Sequence, residues 1–153
     1  METRDTVTTD WRTPTLFRIV AVLSLLWNGY GALNYVMTRM RNMDYLAAMG
    51  GDPAQMLAYI DSFPLWAQAG WGLGVWGGVA GAIMLLVRSR VAVAAFGLSL
   101  VGMTLSFGYQ FLGPPAPPEM SGSAGAIVPI VIIVLGIAQL LYARRMLARG
   151  VLR

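Results

Sequence analysis

Residues 67–82 read AQAGWGLGVWGGVAGA, and within them Gly72, Gly74 and Gly77 spell G-x-G-x-x-G. Glycines at that spacing cradle a dinucleotide pyrophosphate when a strand precedes them, a helix follows, and an acidic residue stands about 20 positions further on. Here they lie inside a long apolar segment, and residues 92–102 contain no acid. Dinucleotide binding is therefore excluded for this run. In a bilayer the same glycines have another use, because small residues four apart let helix backbones approach closely. At about 100° per residue, Gly70, Gly74, Gly77 and Gly81 fall on one narrow stripe, with Gly78 adding a second four-residue step from Gly74. The stripe is predicted to be a packing face, against either a helix of the same chain or one of another copy.

Few other residues are equipped for chemistry. Histidine and cysteine are absent, and all eleven basic residues are arginine. No disulfide can form, thiolate and imidazole metal ligands are missing, and so is the commonest general base. Asp44, Asp52, Asp61 and Glu119 are scattered and have no histidine neighbour. The expectation is a protein with no catalytic residue, no metal and no cofactor. Proton-driven carriers place a carboxylate at membrane depth. From Ser62 to Pro118 there is no acidic residue at all, which argues against an antiporter of that kind.

Neutral amides and aromatic rings remain. Trp27, Tyr30 and Asn34 share one helical face, and Ser24, Asn28, Gly31 and Tyr35 share another. Gln68 stands one turn from Trp71, and Ser99, Met103, Ser106 and Gln110 form a stripe. Depth separates Asn34, Gln68 and Gln110, near the outer end, from Asn28 and Gln139, near the middle. One reading is that the amides only hydrogen-bond between helices and fix their packing. The other is an outer-half pocket formed by Trp27, Tyr30, Asn34, Gln68, Trp71 and Gln110, suited to an uncharged polar ligand such as a sugar, or to a quinone or lipid headgroup.

The elements that must position these residues follow from composition. The 153 residues are 57% apolar and 12% charged, against roughly 45–50% and about 25% in a soluble domain. Four stretches are long enough to cross a bilayer, which takes about 20 apolar residues: 16–37, 65–87, 91–112 and 126–147. No small-x-small cleavage site follows Ile19–Leu26 cleanly, so the first stretch is read as a span and not as a signal peptide. The fold class expected is an all-α polytopic membrane protein, an up-and-down bundle of four transmembrane helices in a single domain. Nine arginines fall in the N-terminal segment (Arg4, Arg12, Arg18), the 88–90 turn (Arg88, Arg90) and the end of the chain (Arg144, Arg145, Arg149, Arg153, reaching into the 148–153 tail), against Arg39 and Arg41 on the other side. The arginine bias places both termini in the cytoplasm. The net charge of +4 does not form a soluble basic face, so nucleic acid is not an expected partner. Membrane lipids are, and so is either a second copy of the chain or a larger membrane complex.

Between the spans, outer loop 38–64 carries Asp52-Pro53-Ala54-Gln55, a capping-box variant with proline at the first helical position. The helix behind it gathers Met56, Tyr59, Ile60 and Phe63 on an apolar face suited to the membrane surface or to a lid over the bundle. Met43–Met49 reads as another short amphipathic turn, ended by Gly50-Gly51. GPPAPPEMSGSAG reads as an extended spacer without a site of its own, and YARRMLARGVLR as a continuation of the fourth helix whose arginines meet anionic headgroups.

Trp27-Asn28-Gly29-Tyr30-Gly31, Tyr35-Val36-Met37-Thr38, Phe63-Pro64-Leu65-Trp66-Ala67, Gly74-Val75-Trp76-Gly77-Gly78 and Ser106-Phe107-Gly108-Tyr109-Gln110-Phe111 together resemble a family of small four-helix proteobacterial inner-membrane proteins, some of them labelled sugar transporters. The resemblance covers about residues 16–112 and departs at Asn34, where the family pattern has an aspartate. It implies the four-helix fold, and a carrier of this size would work as at least a dimer. The sequence is read first as a non-enzymatic accessory or assembly component of a membrane complex. The alternative is an oligomeric transporter or binder of a small neutral, sugar-like solute.

Overall fold

A computed structural model describes residues 15–153, and Arg4 and Arg12 of the charge argument lie outside them. Four long helices carry the fold: α1 (Thr15–Arg39), α4 (Leu65–Leu86), α5 (Val91–Leu112) and α7 (Ser123–Ala148). Each is long and apolar enough to cross a membrane. They run up and down, and no strand occurs among the described residues. Three short helices, α2 (Met43–Ala48), α3 (Pro53–Asp61) and α6 (Pro118–Ser121), lie at the end opposite the 88–90 turn. The expected spans thus agree with the helices to within three residues at each end.

α4 and α5 make the closest pair, and glycine is the reason. A methyl group at Gly70 would stand 2.9 Å from the Gly102 carbonyl oxygen, and one at Gly77 would stand 3.0 Å from the Ser99 amide nitrogen. One at Gly74 would strike the Met103 side chain, and one at Gly81 the Phe96 ring. The stripe therefore packs within the chain, on α5. Gly78 faces the other way, where a methyl group would overlap the side-chain amide of Asn28 on α1. Ser99 Oγ donates to the Gly74 carbonyl oxygen across the α4–α5 seam. The order around the bundle is α1, α4, α5, α7, each packed on the next.

Below the seam, at the turn end, one apolar cluster joins all four helices through Phe17, Ala21, Ala82, Leu85, Phe96, Ala143 and Met146. The tail differs from the sequence expectation. α7 stops at Ala148, and Gly150 takes φ +71°, a left-handed conformation that suits glycine. The chain then folds back: the Arg153 amide donates to the Arg88 carbonyl at 2.8 Å, and the Arg90 amide to the Arg153 carbonyl at 2.9 Å. Leu152 is buried in the cluster. The tail is a clasp on the α4–α5 turn and not more helix, because burying Leu152 and pairing these backbone groups outweighs one further turn in water.

At the opposite end α2 and α3 form a lid. Asn42 caps α2 by accepting the Tyr45 amide at 2.9 Å, and Asp52 caps α3 by accepting the Ala54 amide at 2.9 Å. Gln55 reaches back to the Asp52 carboxylate at 3.2 Å, a side-chain version of the capping box. The apolar face of α3 turns down onto the bundle, burying Met56, Leu57 and Tyr59. It does not lie on the membrane surface. Phe63 bridges to the spans, its ring 5.2 Å from Tyr59 and 4.9 Å from Tyr109. The second loop is not only a spacer: residues 118–121 form a helical turn, and Met120 packs on the lid cluster of Leu46, Met56 and Leu57.

Candidate functional site

The polar residues of α1 set the floor of the site. Asn28 is 8% exposed in mid-helix, and its Nδ2 donates to the Ser24 carbonyl at 2.7 Å and to Gln139 Oε1 on α7 at 3.3 Å. Satisfying an amide at this depth requires such partners, since hydrocarbon offers none. The pair marks the level at which the apolar cluster ends. Above it the helices and the lid surround a cavity of about 600 Å³, within the range of sites that hold drug-sized ligands.

Five of the six expected pocket residues line this cavity: Trp27, Tyr30 and Asn34 from α1, Trp71 from α4 and Gln110 from α5. Gln68 does not. Its Nε2 donates to the Phe63 carbonyl at 2.9 Å and its Oε1 accepts from Arg39 at 2.9 Å. The amide is held in the corner between the end of α1 and the start of α4, where it meets a backbone carbonyl that precedes the helix. Arg39 lies 5.6 Å from the ring centres of both Tyr35 and Trp71, a cation–π arrangement. Tyr35 meets Trp71 edge-on at 4.7 Å. One side of Trp71 is thus fixed by this group while the residue also borders the cavity.

Residues outside the expected set complete the wall. Asn28, Gly31 and Thr38 add to α1, Val75 to α4, and Met103, Ser106 and Phe107 to α5. The lid contributes Leu46, Met49, Met56, Ile60 and Phe63, and the far side Met120, Val128, Pro129 and Ile132. Ser106 was legible from the α5 stripe it shares with Met103 and Gln110. Pro129 carried a signal as well. Inside α7 it removes one backbone donor, which is tolerated in a span where it lines a cavity.

The electrostatics are those of a neutral site. Among the described residues no charged side chain lines the cavity. Arg41, at the lid end, pairs with Asp61 at 2.7 Å in the open, a contact that adds little stability. Tyr59, beneath the lid, has its hydroxyl pushed up by burial and secondarily by Tyr109. It therefore stays neutral well into the alkaline range. Among the described residues no group of three or more carboxylates stands together to hold a metal. The arrangement can offer aromatic faces, thioethers and a few uncharged hydrogen-bonding groups.

Compared with protein-family models, with curated proteins and with solved structures, the chain shows no match. What is established is a multi-pass membrane protein with a lidded cavity in one half of its bundle, lined among the described residues by uncharged side chains.

Proposed function

We propose that this is a non-enzymatic protein of a bacterial inner membrane that binds a small uncharged ligand in the periplasmic half of its bundle. The cavity carries the reading, because aromatic and amide residues of three different helices converge on it with no charge among the described lining residues. Both termini then lie in the cytoplasm, and the lid faces the periplasm. The apolar cluster beneath Asn28 closes the turn end, which favours a binder over an open pore; a transport cycle would require the cluster to part. The reading is compatible with kinship to the small four-helix proteins that the sequence resembles.

A second reading is an accessory component of a larger complex or of a homo-oligomer. Gly29, Gly97 and Gly108 have open space where a side chain would stand, and a helix of another chain approaches most closely at such positions.

Native mass spectrometry of the protein extracted from its own membrane separates the two. Binding predicts a retained neutral mass of a few hundred daltons in the unmodified protein, lost in Trp27→Ala and Gln110→Leu while their helix content stays normal. Protein partners with no such mass would overturn the binding reading and favour the second.

A further inference from the structure

We infer that the ligand is an uncharged membrane amphiphile, a small hydroxyl- or carbonyl-bearing head on an apolar tail, reaching the cavity sideways from the bilayer between α1 and α7. The inference rests on the binding reading of the same cavity and adds the ligand's source and the groups that hold its head. Among the described residues the wall is weakest between α1 and α7. α1 packs on α4, α4 on α5 and α5 on α7, but α1 and α7 make no such backbone approach along their length. They are joined at the Asn28–Gln139 bond and, beneath it, where Phe17 stacks on Tyr142 at 6.3 Å. Above that level the lining residues of α4 and α5 are buried or half-buried, whereas Trp27 and Tyr30 of α1 and Val128 of α7 are exposed. The mouth they frame opens where spans of this hydropathy meet hydrocarbon. Its upper corner is the α2–α3 turn, at Met49 and Gly50.

The head group has a place prepared for it. Ser106 is 6% exposed and borders the cavity, and its hydroxyl makes no hydrogen bond among the described residues. Its oxygen is not sealed within protein, so it faces the cavity. Gln110, one turn further along α5, also borders the cavity and has no side-chain hydrogen bond among the described residues. A hydroxyl open to the cavity can donate to and accept from a bound head, and such a pair is favourable where hydrocarbon offers no other partner. The two groups stand one helical turn apart and suit one compact head. A sugar ring would set many of its hydroxyls against methionine and aromatic surface. A phosphate or ammonium head would find no counter-charge among the described lining residues. An apolar tail fits the remaining wall and leaves through the mouth into lipid.

The test uses the full chain in phosphatidylcholine vesicles with three probes: a short-chain benzoquinone, a diacylglycerol and glucose. Binding is read as a saturable rise in unfolding temperature and as probe mass retained in native spectra. The variants are Ser106→Ala with Gln110→Leu, which remove the head contacts, and Val128→Trp, which fills the mouth. Circular dichroism confirms that each variant is folded. The expected result is saturable binding of an amphiphile, weakened roughly tenfold by loss of two hydrogen bonds and taken up more slowly by Val128→Trp. Quinone binding alone assigns a ring-headed source, and diacylglycerol binding alone a glycerolipid source; either supports the inference. Glucose bound with the same dependence on Ser106 and Gln110, and no amphiphile, overturns the inference while the binding reading stands. Amphiphile uptake indifferent to the double variant is mere partitioning and also overturns it. Retention of no probe overturns both.

Discussion

Gly102 shows how narrowly a single residue sets the α4–α5 contact. A methyl group there would lie 2.5 Å from both the Gly70 carbonyl oxygen and the Gly74 amide nitrogen, and neither backbone atom can swing aside as a side chain can. Gly102→Ala is therefore expected to lower stability in detergent by about 1–3 kcal/mol, the usual cost of overpacking a tight contact. Gly29→Ala, in the same kind of helix interior but with open space around it, is expected to be neutral or to gain up to about 1 kcal/mol from helix propensity. Equal unfolding temperatures for the two variants would mean that the hairpin does not depend on backbone contact. The glycine stripe of α4 was readable in the sequence because its spacing repeats. Its complement on α5 (Ala95, Ser99, Gly102 and Ser106) was written less plainly, in mixed small residues of which Ser99 also donates a hydrogen bond across the seam. Asn28 makes a second point at this scale. Its depth was readable from the sequence, but not its choice of Gln139, which needs α1 and α7 to converge just there. Asn28→Leu and Gln139→Leu should each cost on the order of 0.6 kcal/mol, with a double variant less than additive because one bond is lost in both. Full additivity would show that the two amides are not coupled.

The lid is the element in which local chemistry and tertiary packing agree most closely. Asn42 and Asp52 start its helices, Gly50 and Gly51 at φ +90° and +97° turn the chain between them, and the buried face of α3 faces the cavity. Asp52→Ala removes the acceptor of the Ala54 amide and should cost about 1 kcal/mol of local stability, read as faster hydrogen exchange over residues 53–61 with the four spans unaffected. Unchanged exchange would mean that packing alone holds α3. Tyr59 gives the lid a pH limit. Burial raises its hydroxyl above the ordinary value, with Tyr109 adding to the rise. A value higher in the folded than in the unfolded chain means that the neutral form is favoured by folding. That contribution is complete below about pH 10 and is lost as pH rises through the folded value. The emission of Trp66, whose ring meets Tyr109 edge-on at 5.7 Å, is expected to hold through mildly alkaline solution and to change above about pH 10; Tyr59→Phe should reduce that change. A transition at neutral pH would place its origin elsewhere. The sequence disclosed the caps and the apolar face of α3, but not which surface the face would cover. Bilayer and bundle both accept Met56 and Tyr59, and only the aromatic run from Tyr59 through Phe63 to Tyr109 decides for the bundle. Gln68 failed for a related reason. Its helical phase suits the cavity, yet the Phe63 carbonyl and Arg39 claim its amide, and Arg39 belongs to another element whose approach no local pattern records.

At the scale of the whole molecule, the four spans were fully legible, since length and hydropathy alone determine what crosses a bilayer, whereas the clasp of Val151–Arg153 on the 88–90 turn was not. That clasp gathers Arg88, Arg90 and Arg153 at one end with Arg144, Arg145 and Arg149 of the last helical turns, and Arg18 enters α1 at the same end. The lid end carries Arg39 and Arg41 together with Asp44, Asp52 and Asp61. Cytoplasmic loops are enriched in arginine and lysine, and acidic residues count little in that bias. The orientation proposed here, turn end in the cytoplasm, is tested directly because the chain has no cysteine. Ser89, in the tight turn, and Ser121, beyond α5, lie at opposite ends of the bundle. Each is replaced singly by cysteine and treated with an impermeant thiol reagent on intact spheroplasts, then again after lysis. Ser121→Cys should be labelled in both conditions and Ser89→Cys only after lysis. Labelling of Ser89→Cys on intact cells would reverse the orientation and put the cavity, its lid and its mouth on the cytoplasmic side. The ligand would then have to come from the inner leaflet.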